Sequence, residues 1–243
     1  MIPQTAVEPQ HKSALARVVG VFTSPKETFA DIGARPTWLA PLIIVLVCQL
    51  GFFALVGQHV GWQTIMKQQI EKSPQVQDLP ADQKQLAVER AAKFGPWGYY
   101  GGVLVGVPII FALLALVLLG SMNMFGGRFS FKQSFAIVAH ASLIGVIASI
   151  LGVIVLFAKP VEDFDVQNPL AFNLGAFLPA ETAKWLMSLA SSFDLFTFWS
   201  IGLLATGYAA ASGKLKFSKA LAAVALPWAA WVVIKVGWAA IRG

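Results

Sequence analysis

Apolar residues in this chain come in runs of twenty or more, separated by shorter polar stretches. A helix crossing hydrocarbon needs roughly 20 mostly apolar residues. Strands of a membrane barrel instead alternate apolar and polar over about 10 residues. The pattern therefore predicts an all-α, polytopic membrane bundle of five transmembrane helices. They fall at about residues 38–57, 98–124, 134–158, 185–212 and 220–240, within a membrane domain over 37–243 that follows an N-terminal segment over 1–36.

Residues 1–12 are polar and expected to be loose. After them Leu15, Val18, Val19 and Phe22 recur at the spacing of one helix face. Ser24, Pro25 and Glu27 have the order of a helix start with a capping box. Phe29 and Ile32 extend an apolar face, and Gly33 with Pro36 ends it. The segment over 14–33 thus reads as one or two short amphipathic helices. They lie on the membrane surface or pack on the ends of the spans. The first 36 residues hold no apolar core of about 7–15 residues followed by a small-residue cleavage site. The first span is expected to serve as an uncleaved anchor.

The polar stretch over 58–97 is patterned too. Trp62, Ile65, Met66 and Ile70 mark one amphipathic helix, Ser73-Pro74 and Leu79-Pro80 break it, and Ala81 to Phe94 marks a second that Gly95-Pro96 should stop. A helical hairpin over one mouth of the bundle is expected. The loop over 159–184 is acidic, with Glu162, Asp163, Asp165 and Glu181, and turns at Asn168-Pro169 and Leu178-Pro179. Gly98, Gly102 and Gly106 share a face of the second span, and Ala141, Gly145 and Ser149 a face of the third. Small residues at this spacing let helices approach closely, within the chain or between two copies of it.

Composition agrees: 57% of residues are hydrophobic and 12% charged, against about 25% charged in a soluble domain. The net charge of +6 sits beside the spans. It reads as an orientation signal and not as a nucleic-acid surface. Arg128, Lys132, Lys214, Lys216 and Lys219 fill two short loops that hold no acid. That places the N-terminus in the cytoplasm, as in a bacterial inner membrane. The same lysines suit anionic lipid head groups, although orientation alone also explains them.

Polar residues inside the spans are the candidates for chemistry. Asp194 falls within the fourth span, where an acid costs about 2.5–3.5 kcal/mol on insertion scales. Lys235 falls at similar depth in the fifth and could pair with it or snorkel outward. His140 in the third is a candidate proton carrier or a structural histidine bonded to a backbone carbonyl. Ser191, Ser192 and Thr197 could bond the Asp194 carboxylate or their own helix. His11, His59 and His140 have no metal-ligand spacing and Cys48 stands alone. No phosphate loop, zinc-protease motif or nucleophile elbow occurs. No cofactor and no enzyme activity are implied.

Several segments in order resemble the Yip-type membrane-domain family, named for its Ypt/Rab-interacting eukaryotic members. They are Thr23-Ser24-Pro25-Lys26-Glu27-Thr28-Phe29 with Pro36, then Gly126-Gly127-Arg128-Phe129-Ser130-Phe131-Lys132, then Ser192-Phe193-Asp194-Leu195-Phe196, and Gly207 with Phe217-Ser218-Lys219-Ala220. The acidic segment of eukaryotic relatives is absent, as in the bacterial branch. The resemblance implies five spans and a cytoplasmic N-terminus. The expected role is a non-enzymatic scaffold that organises membrane or holds a membrane-protein partner or second copy. The alternative is a small ion or proton pathway through Asp194.

Overall fold

The computed structural model describes residues 12–71, 73, 76, 80–166, 168–179 and 181–241. Of the expected polar tail, residues 1–11 with His11 lie outside this set, as do Pro74 and Leu79 of the expected loop break. Among the described residues the fold is helical, and five helical stretches are long and apolar enough to cross a membrane.

The chain opens with a helical hairpin. Helix α1 (Ala14–Thr23) starts at Ser13, whose hydroxyl accepts from the Ala16 N–H at 3.2 Å. Helix α2 (Pro25–Ala34) follows after Ser24 alone. The expected capping box does not form there: no side chain caps α2, and the Ser24 hydroxyl instead accepts from Lys12 Nζ at 3.2 Å. A capping box does close at Ser130 and Gln133, where the third span begins.

Helix α2 lies against the fourth and third spans. Its buried face is Thr28, Phe29, Ile32 and Gly33. Gly33 lets the two backbones meet, since a Cβ there would lie 2.7 Å from Ala211 Cα. Gly207 makes room for side chains, since a Cβ there would lie 2.7 Å from Ile137 Cγ2 and 3.0 Å from Phe29 Cδ1. The expected apolar face of α1 is divided: Val18 and Phe22 pack against the core and Leu15 and Val19 do not. The buried residues of α1 are Arg17, Gly20 and Val21, while Leu15 and Val19 are 72% and 53% exposed.

The cause is Arg17. Its guanidinium is 4% exposed and forms a three-way fork. Nε donates to Asp31 Oδ2 at 2.7 Å, and Nη1 donates to the Arg35 carbonyl at 2.9 Å and Thr37 Oγ1 at 2.7 Å. A planar five-donor group can bridge α1, α2 and the connection to the first span at once; an ammonium cannot.

The first two spans run longer than expected. Helix α3 (Leu39–Val56) passes through a π-helical turn, Gly57–Gly61, into α4 (Trp62–Glu71). Helix α5 (Ala81–Gly101) passes through a second, Gly102–Gly106, into α6 (Val107–Met124). Gly95-Pro96 therefore does not stop its helix, and Pro96 sits inside it. Met66 of α4 packs on Gly95, where a Cβ would lie 2.8 Å from its sulfur. The hairpin over 58–97 is thus an extension of two spans.

The third span is broken. Helix α7 (Phe131–Ala141) and α8 (Ile144–Ala158) meet at Ser142-Leu143. Ser142 Oγ donates to the Val138 carbonyl at 2.8 Å and His140 Nδ1 lies 2.8 Å from the Ala136 carbonyl. Side chains that bond back to preceding carbonyls bend helices. Helices α9 (Lys184–Ala190) and α10 (Leu195–Ser212) form the next stretch, and α11 (Phe217–Ile241) the last. Polar cross-links join the spans at the end that carries α2. Ser134 Oγ donates to the Ala115 carbonyl at 2.7 Å and also bonds Tyr208. Ser121 Oγ donates to the Ala223 carbonyl at 2.6 Å, and Gln133 Nε2 to the Gly33 carbonyl at 2.9 Å.

Two predictions follow from this packing. Arg17→Met removes a charge-assisted bond from the half-buried Asp31 carboxylate and the bonds to Arg35 and Thr37, and should destabilise the purified protein by about 1.5–3 kcal/mol, read from denaturant unfolding monitored by tryptophan fluorescence. Gly33→Val should cost about 1–3 kcal/mol by overpacking, whereas Gly106→Ala, with nothing within 4 Å of its Cβ position, should cost nothing.

Candidate functional site

The stretch expected to form the fourth span, 185–212, is not one helix. Helix α9 ends at Ala190, Ser191–Phe193 turn, and α10 begins at Leu195 with Asp194 as its N-cap. The expected placement of Asp194 on the flank of a continuous helix is therefore corrected. Its Oδ1 accepts from the Thr197 N–H at 3.0 Å and lies 3.5 Å from Thr197 Oγ1. The physical reason is local. The first turn of a helix has N–H groups without partners and a partial positive charge. An acid at the cap meets both, whereas on the flank of a span it would meet neither.

A break among apolar helices exposes backbone polar groups, and these must be bonded by protein. The loop ahead of α9 supplies the partners. Leu195 N–H donates to the Phe172 carbonyl at 3.1 Å and Leu174 N–H to the Phe193 carbonyl at 3.2 Å, an antiparallel rung between Asn173 and Asp194. Asn173 is held by its own bonds: Oδ1 accepts from Ala176 N–H at 3.2 Å and Nδ2 donates to Asn168 Oδ1 at 2.9 Å. Ser191 and Ser192 hydroxyls turn to the Ser188 carbonyl, at 3.2 and 2.8 Å. Of the three hydroxyls around Asp194, only that of Thr197 approaches it. Aromatic rings crowd the break, with Trp228 at 6.1 Å from Phe193 and 5.7 Å from Phe198 between centroids.

The other expected members do not join this site. Lys235 is half-buried on α11 and forms no ion pair with Asp194 among the described residues. His140 is 1% exposed and spends Nδ1 on Ala136 of its own helix, with no bond to Asp194. What the geometry offers is a fixed acceptor that starts a helix.

The glycine face also behaves differently from the within-chain packing expectation. At Gly98, Gly102, Gly106 and Gly145 a Cβ would meet nothing within 4 Å. Gly98 and Gly102 instead line an open groove of about 530 Å³ with Gln49, Phe53 and Tyr99. Close approach within the chain uses other glycines, among them Gly20, Gly33, Gly95, Gly152 and Gly207.

The residues that sequence reasoning missed lie at the end of the bundle that carries α2. Nothing in the sequence singles Arg17 out among the basic residues beside the spans, and its partner Asp31 is fourteen positions further on. One signal was available: Asp31 adjoins Ile32 and follows Thr28 by three residues, on the face that α2 buries. At this same end lie the loop over 126–130 and the connection over 213–216, with Arg128, Lys132, Lys214, Lys216 and Lys219 on them or on the helix turns that follow.

The sequence matches the Yip1 domain family over residues 19–241. Membrane protein YknW of Bacillus subtilis strain 168 is 28% identical over 227 residues, which cover 92% of this chain and 91% of that protein. No solved structure matches the chain significantly. With the match running from within α1 to the end of the fifth apolar stretch, this multi-pass membrane protein belongs to the Yip1 domain family.

Proposed function

We propose that the protein is a non-enzymatic membrane-organising scaffold of a bacterial cell membrane, with its N-terminal hairpin set as a wedge in the cytoplasmic leaflet. One observation carries this reading: α1 turns Leu15 and Val19 away from the protein while Arg17 locks it in place. Those side chains need an apolar cover, and α1 is too short to cross a bilayer at about 1.5 Å per residue. Phe22 reaches Trp199 of α10 at 6.3 Å between centroids, so the hairpin follows the spans inward. The orientation rests on the two short loops with five basic residues and no acid at that end.

A wedge in one leaflet favours curvature. In phosphatidylcholine vesicles at high protein content, the native protein should give smaller or tubulated vesicles by electron microscopy. Leu15→Asp with Val19→Asp should restore the size of protein-free vesicles, and because both positions are exposed the fold is retained. Equal vesicle shapes for both proteins would overturn the wedge.

A second reading, an ion or proton pathway, is favoured by the broken third and fourth spans, since broken helices line many transporter sites. Its carboxylate is nonetheless held as a cap. Asparagine caps as well as aspartate, and alanine does not. Asp194→Asn should therefore keep native stability, and Asp194→Ala should lose about 1 kcal/mol. Neither should change proton flux into pH-loaded vesicles. Flux in the native protein that vanishes in Asp194→Asn would establish the pathway instead.

A further inference from the structure

The connection between α8 and α9 carries its charges at its two ends. Glu162, Asp163 and Asp165 come first and Glu181 and Lys184 last, while residues 166–180 hold no charge. Apolar residues dominate that interval, and Phe172, Leu174 and Phe177 are exposed, the last by 82%. In an aqueous loop these side chains would hold apolar surface against water.

Three contacts fix their depth. The rung between Asn173 and Asp194 ties the stretch to the start of α10. The 18 residues of α10 measure about 27 Å, and Lys214 and Lys216 hold its other end at or beyond the edge of a hydrocarbon core about 30 Å thick. The rung therefore lies within the core. Trp228 meets Phe193 beside the rung, and α11 continues from Trp228 to Ile241, about 20 Å further outward. Phe172 lies 6.0 Å from Phe196 between ring centroids, and Phe196 lies 6.5 Å from Trp199, the ring that Phe22 of α1 reaches from the other end of the bundle. Less than one turn of α10 separates these two contacts. A segment resting outside the bilayer could not reach that level.

The way in and the way out are both built. The Phe164 carbonyl accepts from Gln68 Nε2 at 3.4 Å, near the outer end of a 33-residue helical stretch that is longer than the core is thick. Pro169 and Pro179 mark the two turns, and Gly175 packs on α9, where a Cβ would lie 3.2 Å from Met187 Sδ. Irregular backbone at membrane depth has to be bonded by protein. Here the N–H groups of Leu174, Ala176 and Leu178 donate to the carbonyls of Phe193, Asn173 and Gly175, each at 3.2 Å, and the Asn173 amide is spent on Ala176 and Asn168. We infer that residues 169–179 form a re-entrant loop in the leaflet opposite α2, with Phe172, Leu174 and Phe177 among the acyl chains of that leaflet. Leu195, which the rung holds beside them, is exposed on the span itself, so the three side chains extend a surface that lipid already covers. The loop is a second element, besides the N-terminal hairpin, that enters the bilayer without crossing it. It goes beyond the scaffold reading and does not rest on it.

Nitroxide labels on single cysteines test the depth. Leu174→Cys, Phe177→Cys, Glu162→Cys and Leu113→Cys are made one at a time in a Cys48→Ser background, labelled and reconstituted in phosphatidylcholine vesicles. All four positions are exposed, so the labels leave the packing intact. Glu162 is the aqueous reference, on the turn ahead of the loop, and Leu113 the hydrocarbon reference, on the outer face of α6. Electron paramagnetic resonance compares collisions with oxygen, which concentrates in hydrocarbon, and with a water-soluble nickel chelate. At Leu174→Cys and Phe177→Cys, chelate collisions should fall to the level at Leu113→Cys while oxygen collisions stay high. Chelate collisions at either loop position as frequent as at Glu162→Cys would overturn the re-entrant loop. Labels shielded from both reagents would mean that protein covers the loop, a second copy included, and would overturn the lipid assignment. The wedge is read from α1 at the other end of α10, so either proposal can fail alone.

Discussion

The buried guanidinium of Arg17 is the contact on which the N-terminal end of the bundle depends. Two short helices would not hold a fixed orientation against five spans by apolar burial alone, because lipid covers apolar residues as well as protein does. Arg17 supplies direction. It joins α1 to Asp31 of α2 and to the carbonyl and hydroxyl of Arg35 and Thr37, where the chain enters the first span. With that fork made, α2 seats Phe29 and Ile32 against α10, Gly33 meets Ala211, and α1 is left with Leu15 and Val19 outward. A buried ion pair is costly to form and more costly to half-remove. Its value here is specificity: it selects one rotation of α1.

The same requirement, that polar groups be bonded inside the protein, shapes the opposite end of α10. Asp194 is satisfied by the Thr197 N–H, and the loop at Phe172–Leu174 bonds the backbone of the break. Ser142 and His140 do comparable work at the break in the third span, each on a carbonyl of its own helix. These polar residues, which first suggest transport chemistry, are accounted for by irregular helices among apolar neighbours.

Much of the fold was legible in the sequence, and the limits have physical causes. The five apolar runs and the break at Ser24 follow from length and local chemistry. Extension of the first two spans into α4 and α5 did not, because Gly95-Pro96 and the polar residues after Gly57 carry local stop signals that helix pairing overrides. Asp194 was read as a charge on a helix flank because hydropathy averages across a short turn. The apolar spacing of α1 suits both a membrane-surface helix and one packed on the spans, and α1 divides between them, with Val18 and Phe22 against the core and Leu15 and Val19 outward. In lipid apolar residues can be the outward ones, and a single arginine decided the matter.

Depth of α1 tests the account most directly. A polarity-sensitive nitrobenzoxadiazole probe on Leu15→Cys, in a Cys48→Ser background, is read in phosphatidylcholine bilayers against lipid-borne nitroxides and aqueous iodide. The account predicts blue-shifted emission, strong quenching by nitroxide near the head groups and little by iodide. Emission as in water, quenched by iodide and untouched by the nitroxides, would contradict it.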